Sequence, residues 1–164
     1  MTNNFVFEPD MVAKKIHIVR EFNAPIEKVW KAWTDPDLLE KWWSPKPFKA
    51  VTEIMDFTLG GTWKFAMVGP DGKKSWIYAE FTAIEHGKTI SSAAGFCDDE
   101  GNPVVNGPKW YRTTTFAAID GDRTRVDIVI PFDDEATLKS FAEGYFKEGT
   151  AMSYNQLDEL LAAE

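Results

Sequence analysis

One cysteine and two histidines in 164 residues leave this chain little metal or redox chemistry. A lone Cys97 closes no intrachain disulfide, and no Cys-x-x-Cys is present to hold zinc or exchange thiols, a usage that predicts a reducing compartment. His17 falls on a strand opposite Ile16 and Ile18, and His86 falls in a turn before Gly87, so the pair is not expected to share a metal, and no cofactor is expected. Basic residues are also scarce: 18 Lys plus Arg stand against 26 Asp plus Glu, a net charge of -8. That field repels phosphate backbones and anionic lipid heads, so neither nucleic acid nor a membrane surface is an expected partner. The doublets Lys14-Lys15 and Lys73-Lys74 are too short to form a patch. No apolar run could span a bilayer, and the first ten residues lack a basic segment and a signal-peptide core, which predicts a cytoplasmic location. Gly-x-Ser-x-Gly, phosphate-loop and His-Glu-x-x-His motifs are all missing, and Gly60-Gly61 lacks the rest of a nucleotide fingerprint.

Aromatic residues are what the chain has in quantity. Seven Trp, 12 Phe and 4 Tyr supply a large core, and seven Trp are more indole than packing alone usually needs in a chain of this size. Its length suits a single domain over residues 1–164, burying on the order of 70% of its extended-chain surface.

The stretch from Arg20 to Pro47 concentrates the signals. Pro25 and Pro36 each suit the first position of a helix, where the missing N–H costs nothing, and Asp35 is placed to cap the second helix. Val29, Trp30, Ala32 and Trp33 share one helical face, and Leu38, Leu39, Trp42 and Trp43 share another. Two short helices therefore follow a first strand at 15–22, in which Ile16, Ile18, Arg20 and Phe22 lie on one side.

Further strands are read at 48–57, 60–68, 75–84, 89–97, 109–119 and 124–132. Gly69-Pro70-Asp71-Gly72 is a type I turn signal, His86-Gly87-Lys88 closes another turn, and Asp120-Gly121-Asp122 marks a hairpin. Asp98 to Pro108 is the longest expected loop. Asp133 and Asp134 can start a C-terminal helix that Gly144 breaks into a short and a long piece. On the long piece Tyr145, Gly149, Met152, Gln156 and Leu160 form a stripe, with Phe146, Leu157 and Leu161 adjoining. Seven antiparallel strands curled around a terminal helix give an α+β architecture.

Several motifs in order carry a resemblance: Asn23-Ala24-Pro25 with Glu27, Val29 and Trp30; Thr34-Asp35-Pro36 with Leu39, Trp42 and Trp43; and Gly60 to Trp63. Gly69 to Gly72, Phe96 to Asn102, Thr124 to Val126, Glu148 to Thr150 and Leu157 to Leu161 continue it. The pattern resembles the SRPBCC (START/Bet v 1-like) superfamily, in the subfamily related to the Hsp90 ATPase activator homologue Aha1, over roughly residues 14–162. Residues 1–13 stand outside it as an N-terminal extension. The resemblance implies a helix-grip fold: a curved antiparallel seven-stranded sheet wrapped around the C-terminal helix, with two short helices after the first strand. Its relatives include binding, transport, cyclase and co-chaperone proteins, so it fixes architecture better than activity.

Polar groups on apolar strand faces are the remaining functional clue. Trp110, Arg112, Thr114 and Phe116 alternate on one strand; Trp76, Tyr78, Glu80, Thr82 and Ile84 alternate on another. A guanidinium or carboxylate facing an apolar interior is costly unless paired or solvated, and the competing and favoured reading is that a bulge turns these faces outward and leaves the residues as ordinary surface. The expected cavity is lined by Trp63, Phe65, Met67, Trp76, Tyr78, Phe96, Trp110, Phe116, Tyr145 and Met152, with Arg112 and Glu80 as polar anchors. The leading reading is a binding protein for a hydrophobic or aromatic small molecule, with no catalytic residue assigned. A polyketide cyclase or dehydratase, in which Arg112, Glu80 or Tyr78 polarises a carbonyl or shuttles a proton, is the alternative. Action as an Hsp90-type co-chaperone ranks behind both, since Aha1 joins this domain to a separate N-terminal domain not seen in these residues. A homodimer through an exposed strand or helix face is left open.

Overall fold

Alternating apolar residues and tight turns build one eight-stranded sheet, antiparallel throughout, in the order β1-β2-β8-β7-β6-β5-β4-β3. The computed structural model describes residues 4–163. Its strands are β1 (Phe5–Asp10), β2 (Lys15–Phe22), β3 (Lys49–Met55), β4 (Thr62–Val68), β5 (Lys74–Glu85), β6 (Thr89–Cys97), β7 (Lys109–Asp120) and β8 (Arg123–Pro131). Helices α1 (Ile26–Thr34) and α2 (Pro36–Trp42) carry the chain from β2 to the far edge at β3, and α3 (Glu135–Glu143) and α4 (Phe146–Ala163) close it.

The eighth strand corrects the expected count of seven. Residues 5–10, assigned to an extension, pair with β2, with Phe5 opposite Arg20 and Asp10 opposite Lys15. Asp10 Oδ1 accepts from the Val12 and Ala13 amides and shapes the connection between the two strands. The strand is held because its aromatic side finds α4: Phe5 meets Tyr154 edge-on at 6.5 Å between ring centroids, and Phe7 meets Phe146 at 5.9 Å.

Local chemistry elsewhere largely matches. Asp35 caps α2 by accepting from the Asp37 amide at 2.9 Å, with Pro36 in the first turn. Pro25, by contrast, occupies the cap of α1 with extended backbone rather than its first helical position. Gly144 separates α3 from α4, and Asp134 caps α3 through the Thr137 amide at 2.7 Å. The stripe expected on α4 is rotated: Tyr145 and Met152 are exposed, while Ser153, Tyr154, Leu157 and Leu161 are buried. Phase is set by the turn that α4 begins at Phe146, which turns Phe146 inward and Tyr145 out.

Polar bonds fix where α4 lies. The Gln156 amide donates to the Trp42 carbonyl at 3.1 Å and the Ser44 carbonyl at 2.9 Å, and Ser153 Oγ donates to the Trp43 carbonyl at 2.9 Å. These satisfy acceptors left open where α2 ends. On the other flank, buried Arg20 of β2 donates to Asp158 and to Asn155 Oδ1 of α4. The core beneath holds Ile16, Ile18, Phe22, Leu157 and Leu138.

Truncating Leu157, which is fully enclosed, tests this placement. Leu157→Ala is expected to lower unfolding free energy by about 2–5 kcal/mol, and Met152→Ala to change it by about 0.5 kcal/mol or less, both read by urea denaturation. The reverse ranking would mean that α4 presents the other stripe.

Candidate functional site

Because α4 is tied to the β1–β2 side and to the end of α2, it does not fill the concave face. A cavity of about 410 Å³ remains over β4 to β7, roofed by Trp33 of α1, Trp43, Phe141 of α3 and Phe146 of α4. Its floor is made by inward residues of adjacent strands in register: Phe65 opposite Ile77, and Ile77 opposite Phe96. Trp63 stacks on Phe65 at 4.1 Å and meets Trp43 edge-on at 5.0 Å, while Trp110 packs between Phe96 and Phe141. A smaller space of about 230 Å³ shares Trp43, Met67, Arg112 and Phe146 with the first and reaches the exposed Tyr145.

Among the described residues, Arg112 is the only charged side chain on either wall; Ser75, Ser92 and Thr114 add hydroxyls to the larger one. Arg112 is partly buried, and the rest of its surface borders the open chamber. Burial opposes its charged form and lowers its pKa, and the neighbouring Tyr154 oxygen acts the other way. The guanidinium neighbours the Tyr154 hydroxyl and stands 5.1 Å from the Trp43 ring centroid in a cation–π contact. Burial pushes the Tyr154 phenol up, with Arg112 and Arg20 pulling against it, so the phenol stays protonated and can donate.

Six of the expected residues, Trp63, Phe65, Met67, Phe96, Trp110 and Arg112, lie together on the cavity wall. Tyr145 lines only the smaller space. Phe116 shares the inward side of β7 but is sealed under Trp30 and Trp33, at 5.1 and 5.4 Å between ring centroids. Met152 is exposed on α4 and outside both spaces.

Trp76, Tyr78 and Glu80 are a correction: they project from the opposite, outer face. A bulge between Phe81 and Ala83 brings both Phe81 and Ile84 inward although they are three residues apart. Counting by twos from Ile84 therefore assigns every earlier residue of β5 to the wrong side. Outside, Trp76 lies under the buried Lys64 ammonium at 4.7 Å, and Tyr78 covers Gly95, where an added Cβ would come 3.0 Å from the phenol oxygen. Glu80 is exposed between Thr62 and Ala93.

Tyr154 carries a sequence signal of its own: with Leu157 and Leu161 it follows helical spacing. The sequence places Trp33 and Trp43 on helix faces, and only the tertiary arrangement makes them a roof. Cys97 is buried on the outer side, its thiol pushed up mainly by burial and drawn down in part by Lys64.

Residues 23–162 match the family described as Activator of Hsp90 ATPase homolog 1-like protein. Among solved structures, a protein from Mycobacterium smegmatis is 31% identical, with 99% of each chain covered and a TM-score of 0.88. One from Arthrobacter aurescens is 33% identical over 97% of this chain and 92% of that one, also at 0.88. A Silicibacter pomeroyi protein described as AHSA1 is 22% identical over 91% of this chain and 98% of that one, with a TM-score of 0.71, a likeness of fold. No curated protein matches the chain.

Buried Arg20 and partly buried Arg112 should respond oppositely to loss of charge. Arg20→Met removes the buried donor bonded to Asp158 and Asn155 and is expected to cost about 1–3 kcal/mol. Arg112→Met relieves an uncompensated desolvation and should leave the ligand-free denaturation midpoint equal or higher. A large loss with Arg112→Met would show that its contacts with Tyr154 and Trp43 are structural.

Proposed function

The chain belongs to the Activator of Hsp90 ATPase homolog 1-like family, and we propose that it binds a hydrophobic, aromatic small molecule in the chamber between its sheet and its helices. The observation that carries this is the chamber itself: about 410 Å³, walled by Trp43, Trp63, Phe65, Trp110 and other apolar side chains, with a single guanidinium on its surface. Small-molecule sites typically have this size, roughly 300–1,000 Å³, and this pairing of apolar wall with few oriented polar groups. An aromatic guest gains offset and edge-on ring contacts there in addition to burial.

Binding is favoured over turnover by what touches the chamber. Neither a carboxylate nor an imidazole is found on either wall among the described residues, and Glu80 and Tyr78, the proton handlers a cyclase would need, face outward. Arg112 does not release its proton, and Tyr154 is held protonated, so the pair donates hydrogen bonds without a base beside it. The Hsp90 reading has only the family's name behind it.

Tryptophan quenching and thermal shift with aromatic and polyketide-like compounds should reveal stabilising binders, a ligand at 100 times its Kd adding about 2.7 kcal/mol. Mass spectrometry should recover these compounds unchanged. Ala94→Leu, which projects a larger side chain from β6 into the chamber, should weaken binding about tenfold or more without loss of fold. A product made by the wild type and not by Arg112→Met would establish turnover instead.

A further inference from the structure

Two guanidiniums approach Tyr154, and among the described residues only that of Arg20 has a counter-charge. Arg20 is bonded to the Asp158 carboxylate, to Asn155 Oδ1 and to the Glu21 carbonyl. Arg112 has a neutral phenol and the face of Trp43, and among the described residues no carboxylate forms an ion pair with it. An arginine cannot escape burial by neutralising itself, so an enclosed guanidinium without an anion is an incomplete arrangement.

Taking the chamber as the binding site, as argued above, we propose that Arg112 is an anion anchor and that the ligand is a monoanionic aryl acid, its carboxylate on Arg112 and its ring system in the aromatic chamber. The planar guanidinium fork matches a carboxylate through two parallel N–H···O bonds, and the Tyr154 hydroxyl supplies a third donor. One charge is called for and not two, because Arg20 is already committed to Asp158. Arg112 borders both spaces, so the carboxylate sits at their junction, with the larger aromatic-walled space for the apolar body and the smaller one reaching the surface at Tyr145. The protein's net charge of -8 supplies no long-range attraction for an acid, so any preference for one has to arise at Arg112 itself.

The test is isothermal titration of 2-naphthoate, its methyl ester and 2-naphthalenemethanol at pH 7 into the wild type, Arg112→Met and Arg112→Lys. The acid should bind the wild type at least about tenfold more tightly than either neutral compound, lose that advantage with Arg112→Met, and keep part of it with Arg112→Lys. The wild-type ratio decides the matter by itself if Arg112→Met does not fold. Equal affinities in the wild type, or an acid preference that survives Arg112→Met, overturn the anchor and leave the chamber standing as a site for neutral ligands. Failure of all three probes, and of every other apolar aromatic compound, overturns the chamber as the binding site and the anchor with it.

Discussion

Helix α4 is held on two flanks by hydrogen bonds whose partners are far apart in sequence, and the cavity exists because of where those bonds stop it. Gln156 and Ser153 answer the open carbonyls at the end of α2, and Asp158 and Asn155 answer Arg20 on β2. An empty apolar space forfeits dispersion contacts along its whole lining, so burial alone would draw the helix into the concavity. Moving α4 to fill it would leave the α2 carbonyls and a buried guanidinium without partners, a penalty of about 1–3 kcal/mol for each such group and more for the charged one. Polar bonds set the position of the helix, and the leftover volume follows.

The walls resist collapse for a related reason. Trp42 is fastened by its indole N–H to the Ala32 carbonyl at 3.0 Å, and Trp63 by its own to Thr52 Oγ1 at 3.0 Å. Trp33 meets Trp42 at 4.6 Å and Trp43 meets Trp63 at 5.0 Å, both edge-on, so the rings brace one another at steep angles and do not lie flat across the gap. Large, stiff side chains with few rotatable bonds hold a shape that aliphatic ones of equal volume would relax. Much of the tryptophan content is thereby accounted for by the roof and one side of the chamber.

Local rules made part of this visible in the sequence, and the misses have local causes too. Asp35 with Pro36, the Gly69 to Gly72 turn, the break at Gly144 and the inward side of β7 are each dictated by a few neighbouring residues, and each was readable. The inward side of β5 was not, because the bulge after Phe81 is a property of its pairing with β6 and leaves no distinct residue in the sequence. The first strand was missed because Phe5 and Phe7 alternate over too short a run, and only the presence of α4 beneath them makes that alternation count. The roof residues Trp33, Trp43 and Phe141 come from three separate segments, so no single window of sequence could assemble them.

Both faces of the sheet carry a cation among aromatic rings, Lys64 of β4 outside and Arg112 of β7 inside, and the difference between them is what separates structure from function. On the outer face Lys64 is buried against Trp76, bonded to Glu53 at 3.0 Å and to the Asp99 carbonyl, while Asp98 orders the loop above it by accepting from the Glu100 and Asn102 amides. Every need of that ammonium is met within the chain, so it fastens the 98–103 loop and asks for nothing more. On the inner face Arg112 has the same kind of aromatic neighbour but no carboxylate, and it borders open space where Lys64 borders protein. A polar residue on an apolar face is therefore not by itself the mark of a site in this protein. The mark is the charge that finds no counter-charge among the described residues.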